Sequence, residues 1–430
     1  MANTVSKELV NRIVASIPND DRDTLMSCSL VAPVFRDASQ RRLLGQLSVC
    51  SLDVKDKLAT HHTFAEVSVR FTTSPRLATH VTIVRLALGA EVAKEERREA
   101  ESVFTWLKQL REVYIEGYCL QTRTLAEAKA AQKCRTLVKL EVIEWALDTV
   151  GREQRSLRSV TLSELTLTPA LVDKAVNMAP SVAFQSVEPE LNDWTKGIPT
   201  PSVPSSLAEL SISQSSAITK YFFGSQMQPT LPNPGSLRAL TLDGHGEDNR
   251  SNIENACRHT AKTLEELNIF NSDVPEFRVG AKSKLRPVFP ASFPHLKKLQ
   301  MHISIPGGSK CPLPAAIAAL LTPDATPLLE EVVFSFAYTI CDQPGDLPFV
   351  FTTDTSKRLD RSLIRHPRLK SAEWDMMCLY YGDDSTTFPP PEDYLAAFSQ
   401  KLSRALPRAS RAGIARVGGA GVDLGAVGFV

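Results

Sequence analysis

One short figure restricts this chain more than any other feature: an apolar residue, two others, an apolar, any residue, an apolar. It reads IVRLAL at Ile83, LREVYI at Leu110, LVKLEV at Leu137, LRSVTL at Leu157 and LAELSI at Leu207. It returns as LRALTL at Leu237, LEELNI at Leu264, LKKLQM at Leu296 and LEEVVF at Leu329, with a weaker LKSAEW at Leu369. The starts are 27, 27, 20, 50, 30, 27, 32, 33 and 40 residues apart, and the longest step accommodates two units around a degenerate VAFQSV at Val182. Repetition on this scale means stacked units, none of which can bury its apolar side alone.

The last three positions of each copy alternate in, out, in, as a strand with one buried face requires. Between copies lie helical segments: TLAEAKAAQK before Leu137, PALVDKAVNM after Leu165, NIENACRHTAK before Leu264 and LPAAIAALL before Leu328. Strand and helix in alternation resemble leucine-rich repeats. Tyr118, Leu165, His245 and Ser272 stand where that family closes its turn with Asn or Cys, so the expectation is an α/β fold with an irregular leucine-rich-repeat-like solenoid, a parallel sheet backed by outer helices, over 48–406.

Composition excludes several other classes. Lys plus Arg number 49 against 48 for Asp plus Glu, a net charge of +1, which favours neither nucleic acid nor an anionic membrane as partner. AAIAALL at 315–321 is too short to span a bilayer, and the opening MANTVSKELVNR has no secretory pattern. Eight cysteines are scattered without a CxxC, the usage of reduced thiols in cytoplasm or nucleus.

Residues 1–47 break from the repeat. VSKELVNRIVASIP carries Val5, Leu9, Ile13 and Ile17 on one helical face, ended by Pro18. Asn19, Asp20 and Asp21 can cap a second helix, DRDTLMSCSLV, with Leu25, Cys28, Leu30 and Val31 expected inward. Pro33 opens a third, PVFRDASQRRLLGQL. The order KELVNRIVASI, DRDTLMSCSLVAPVFRDASQRRLL resembles the F-box, a three-helix module that docks on a Skp-type adaptor in cullin ubiquitin ligases. CSLVAPVF at 28–35 matches the centre of that motif, and FTTSPRLATHVTIVRLAL at 71–88 resembles the bridge to the repeats in fungal members. Val5-Ser6 replaces the family's Leu-Pro, and Phe35 its Trp. The resemblance implies adaptor binding through Val5, Leu9, Leu25, Leu30, Val31 and Phe35, and a substrate receptor that works without a cofactor. The alternative is a repeat scaffold for protein interactions with no ubiquitin role.

Signatures of catalysis are missing from the sequence. PGGSK at 306–310 lacks the spacing of a phosphate loop, no GxSxG or HExxH occurs, and the histidines show no metal-ligand spacing with cysteine. In RVGGAGVDLGAVGF, Gly419, Gly421 and Gly425 miss the dinucleotide spacing by one, so 407–430 reads as a flexible tail. The outward positions of the ten copies hold nine acidic residues, Glu112, Glu116, Glu141, Glu209, Asp243, Glu266, Glu331, Glu373 and Asp375, against Arg85, Lys139 and Lys298. In a chain whose charges balance, that asymmetry predicts an acidic face for a basic protein target.

Overall fold

The computed structural model describes residues 6–18, 21–118, 138–153, 156–190, 206–224, 236–243, 249–270, 289–305, 319–340, 353–380 and 391–423. The chain divides into two compact units, Met1–Ile198 and Pro199–Val430. Both are α/β arrays of parallel strands, solenoid-like in that, from β3 onward, the strands of the main sheet follow one another side by side in chain order.

The first unit opens with helices α1 (Lys7–Ser16), α2 (Arg22–Val31) and α3 (Pro33–Leu44), then strand β1 (Gln46–Cys50), a 3-10 turn Leu52–Lys57 and β2 (His62–Thr63). It continues with α4 (Phe64–Thr73), a 3-10 segment Pro75–His80, β3 (Ile83–Leu88), α5 (Lys94–Trp106) and β4 (Glu112–Gly117). A helix Leu140–Glu153, β5 (Ser159–Ser163), a helix Pro169–Val176 and β7 (Ser181–Gln185) follow, with a short pair, β6 (Thr166–Leu167) and β8 (Glu188–Pro189), at its end. Six strands run in the order β2-β1-β3-β4-β5-β7. In the second unit seven run as β9 (Glu209–Ser213), β10 (Ala239–Asp243), β11 (Glu266–Phe270), β12 (Lys298–Ile305), β13 (Glu331–Ile340), β14 (Ser371–Tyr380) and β15 (Ala415–Asp423), thirteen parallel strands in all.

The repeated figure explains the core. Its last two apolar residues stack in register: Val84, Val113, Val160 and Val182 make one row, and Leu86, Ile115, Leu162 and Phe184 the next, each 1% exposed or less. In the second unit the rows are Leu210, Leu240, Leu267, Leu299, Val332 and Ala372, then Ile212, Leu242, Ile269, Met301, Phe334 and Trp374. Burying one such side chain contributes about 1.5–3 kcal/mol, and only neighbouring copies can bury it. Parallel strands need long crossovers, and helices supply them; α4 packs on α5, α5 on Leu140–Glu153, and that helix on Pro169–Val176. The intervening side chains on the strands are largely polar, as on a sheet with one face packed on helices and unlike a doubly wound sheet.

The second position of the figure adds a charge ladder. Glu265 lies 3.8 Å from Arg238 and 2.5 Å from Lys297, and Lys370 pairs with Glu330. Arg238, Glu265, Lys297, Glu330 and Lys370 thus alternate in sign along consecutive repeats, each backbone N–H after the first donating to the preceding carbonyl. The Lys297 hydrogen bond holds the Glu265 carboxyl below its ordinary range, and Lys370 does the same for Glu330.

Several expectations need correction. The first copy begins at Val81, two residues before Ile83, because Val84 and Leu86 align with Val113 and Ile115. A further copy, LGQLSV at Leu44, overlaps the stretch expected as the third helix: α3 ends at Leu44, and Gln46–Cys50 is strand β1, paired with β3, so the array starts before residue 48. LVKLEV at Leu137 is no strand: Leu140–Glu153 is a helix burying Val142, Ile143, Ala146, Leu147 and Val150 at helical spacing. The segment read as a flexible tail forms a short helix, Pro407–Arg411, and the edge strand β15 up to Asp423. Gly418 fits there because a Cβ would come within 1.9 Å of Asp375 Oδ1. TLAEAKAAQK and most of LPAAIAALL lie outside the described residues.

Candidate docking surface

Local chemistry fixes the three N-terminal helices. Ser6 caps α1 by accepting from Leu9 N–H at 3.4 Å, Asp21 caps α2 by accepting from Thr24 N–H at 3.1 Å, and Pro33 stands in the first turn of α3. Hydrogen bonds from the Thr24 side chain and backbone hold the Asp21 carboxyl below its ordinary range. Val10, Val14 and Leu25 form the buried centre, with Ile17, Phe35, Ala38 and Leu43 against it. The Arg42 guanidinium donates to the carbonyls of Val14 and Ile17, the latter at 2.6 Å, tying the end of α1 to α3. α3 in turn packs on β1 and the Pro75–His80 segment, and Gly45 carbonyl accepts from Thr82 and Ile83 N–H.

This module leaves much of its apolar surface uncovered. Of the ten large hydrophobic side chains exposed among the described residues, six are Leu9, Ile13, Met26, Leu30, Val31 and Val34. Leu30 and Val31 are 79% and 80% exposed, at the corner where α2 meets α3, with Val34 just beyond. Leu9 and Ile13 are one helical turn apart, as are Met26 and Leu30, so each pair forms a strip along its helix. Clustering of this kind marks interaction surfaces, whereas scattered exposed apolar residues do not.

The predicted adaptor-binding residues therefore part company. Leu9, Leu30 and Val31 are exposed, Leu30 and Val31 contrary to the inward placement expected for them; Leu25 is 1% exposed and belongs to the core; Phe35 is half-buried against that core; Val5 lies outside the described residues. Ile13, Met26 and Val34 join the exposed set without having been singled out for docking. The helical spacing of Met26 and Leu30 was the signal available for one of them. The inward face of α1 is Val10 and Val14, not Leu9 and Ile13.

The acidic positions also divide. In the second unit Glu209, Glu266 and Glu331 are exposed and share one row, in the register Glu209, Ala239, Glu266, Lys298, Glu331, Ser371, so Lys298 interrupts it. Glu373 pairs with Arg416 of β15. Asp243 is no surface residue: it is buried, and its Oδ2 accepts from Gln214 N–H at 2.9 Å. Glu141 sits on a helix, since its copy is not a strand. In the first unit Glu112 and Glu116 lie on β4, half-buried and exposed, with Arg85 over the Tyr114 ring at 5.1 Å beside them.

Among the described residues no group of three or more His, Cys, Asp or Glu is placed to hold a metal ion, and no helix is long and apolar enough to cross a membrane. No family model matches the chain, and no curated protein matches it either.

Proposed function

We propose that this chain is the substrate-recognition subunit of a Skp/cullin/F-box ubiquitin ligase. The observation that carries the reading is the exposed aliphatic corner of Leu30, Val31 and Val34, with Met26 and Leu9 on neighbouring strips, inside the segment whose order resembles an F-box. A helical module with three buried side chains at its centre gains more from a partner than from its own core. In this reading the adaptor covers that corner, and the repeat array, of leucine-rich-repeat type, holds a protein target. Function then arises by proximity: the receptor raises the target's effective concentration at a catalyst carried elsewhere in the complex. The exposed glutamates Glu209, Glu266 and Glu331, on alternate repeats, suit a target with a basic surface and would speed encounter more than deepen affinity.

The test is capture of a Skp-type adaptor by the full chain and by a chain lacking residues 1–44, which keeps β1 on the array. Binding by the full chain alone supports the proposal; equal binding by both, or by neither, ends it. The second reading, a scaffold without a ubiquitin role, is favoured by Val5-Ser6 in place of Leu-Pro, and it predicts that neither chain retains adaptor.

A further inference from the structure

We infer that the second unit carries a site for a multiply charged, phosphate-type anion, in a groove among three helices: Thr353–Arg365, Pro391–Ala405 and Pro407–Arg411. The groove holds about 640 Å³ and is lined by Lys357, Arg361, Lys401, Arg404 and Arg408, with Asp360 as the one carboxylate in its lining. That size falls in the range of about 300–1,000 Å³ typical of pockets for small ligands.

Asp360 is committed to structure. It is 5% exposed, its Oδ1 accepts from the backbone N–H of Arg408 at 3.1 Å and of Ala409 at 2.8 Å, and its Oδ2 lies 3.3 Å from the first of these. It therefore fastens the short helix to the long one and brings Arg408 to the groove. Lys357, Arg361, Arg404 and Arg408 form no ion pair among the described residues, whereas Lys297, Lys370 and Arg416 of the same unit each hold a glutamate. Lys357 and Arg361 are four residues apart on one helix, a like-charge spacing that opposes the helix unless an anion lies between.

Convergence from three helices distinguishes this cluster from a solvated basic face. Three of the five cations are guanidiniums, whose forked donors match phosphate oxygens two at a time. Five cations gathered around one groove suit a compact anion better than a nucleic acid, which needs a long cationic track. The chemistry is shared by a free oligophosphate and by a phosphorylated segment of a protein. None of these helices belongs to the N-terminal module, so the site stands or falls apart from adaptor docking.

The experiment is calorimetric titration of the full chain, at low salt, with inorganic tripolyphosphate and separately with a synthetic peptide bearing two adjacent phosphoserines. Saturable binding at one site per chain, weakening as salt is raised, is expected for at least one probe. Neutralising Arg361→Gln with Arg404→Gln should lower that affinity about tenfold or more. Arg358→Gln with Arg365→Gln, on the same long helix but outside the lining, should leave it unchanged. Lys357→Gln with Arg408→Gln should repeat the loss, and melting temperatures confirm that each variant is folded. Tighter binding of the peptide assigns the site to a protein partner, and tighter binding of tripolyphosphate to a free anion. No saturable binding of either probe, or equal losses in the lining and control pairs, overturns the assignment.

Discussion

Replacing Leu30 and Val31 together by aspartate separates docking from folding, because the structure assigns those two side chains almost no part in the core. At 79% and 80% exposure each buries only about a fifth of its surface on folding. With about 1.5–3 kcal/mol for full burial of such a side chain, the folding cost is roughly 0.3–0.6 kcal/mol per residue. If a partner covers the remaining four fifths, the pair contributes roughly 2.5–5 kcal/mol to binding, and its loss lowers affinity about 60-fold to several thousand-fold. Leu25→Asp is the contrasting change: at 1% exposure it places a charge in the centre of the module and unfolds it. The assay pairs titration of a Skp-type adaptor onto each variant with thermal unfolding followed by circular dichroism. The double aspartate variant should melt within a few degrees of the native chain and fail to bind. A folded variant that binds at native affinity would refute the assignment of this corner, and a variant that unfolds would refute the burial argument itself.

Three further outcomes are expected. Leu267→Ala, between Leu240 and Leu299 in the inner row, should cost about 2–5 kcal/mol in urea unfolding, and hydrogen exchange should quicken in β10 and β12 as well as β11; a change confined to β11 would contradict a shared core. Burial holds the Glu96 carboxyl above its ordinary range, with repulsion from Asp53 and Glu99 acting the same way and the 2.8 Å bond from Leu52 N–H opposing it. A carboxyl raised in the folded state favours folding when protonated and works against it as pH climbs from the ordinary glutamate value through the raised one. Glu96→Gln, which keeps an acceptor for Leu52, should therefore gain stability on the native chain as pH rises across that window, measured by denaturant unfolding at several pH values. Asp360→Ala strands the N–H groups of Arg408 and Ala409 and should cost about 1–3 kcal/mol, read as faster exchange at those two amides.

The sequence by itself determined the repeat and its inner rows. Period-two alternation is a local property, and Leu264, Leu267 and Ile269 are buried wherever a neighbouring copy exists to cover them. It also determined that residues 7–44 are three helices, since Ser6, Asp21 and Pro33 act within one turn of their own positions. Tertiary structure decided the remainder. LVKLEV satisfies the strand figure over six residues, yet Val138, Val142, Ile143, Ala146, Leu147 and Val150 follow a helix, and only packing between α5 and Pro169–Val176 selects that reading. The glycine-rich ARVGGAGVD resembles a tail because it has few side chains to bury; it is a strand because β14 offers an edge whose backbone groups it can pair, with Arg416 adding an ion pair to Glu373. Which apolar residues of the three helices stay uncovered depends on how the helices meet, so Leu25 and Leu30, five residues apart on α2, end at opposite extremes of exposure. The cationic groove is the clearest case: Lys357 and Arg408 are distant in sequence, and it is the Asp360 carboxylate, fixed to the backbone of Arg408 and Ala409, that brings their helices together.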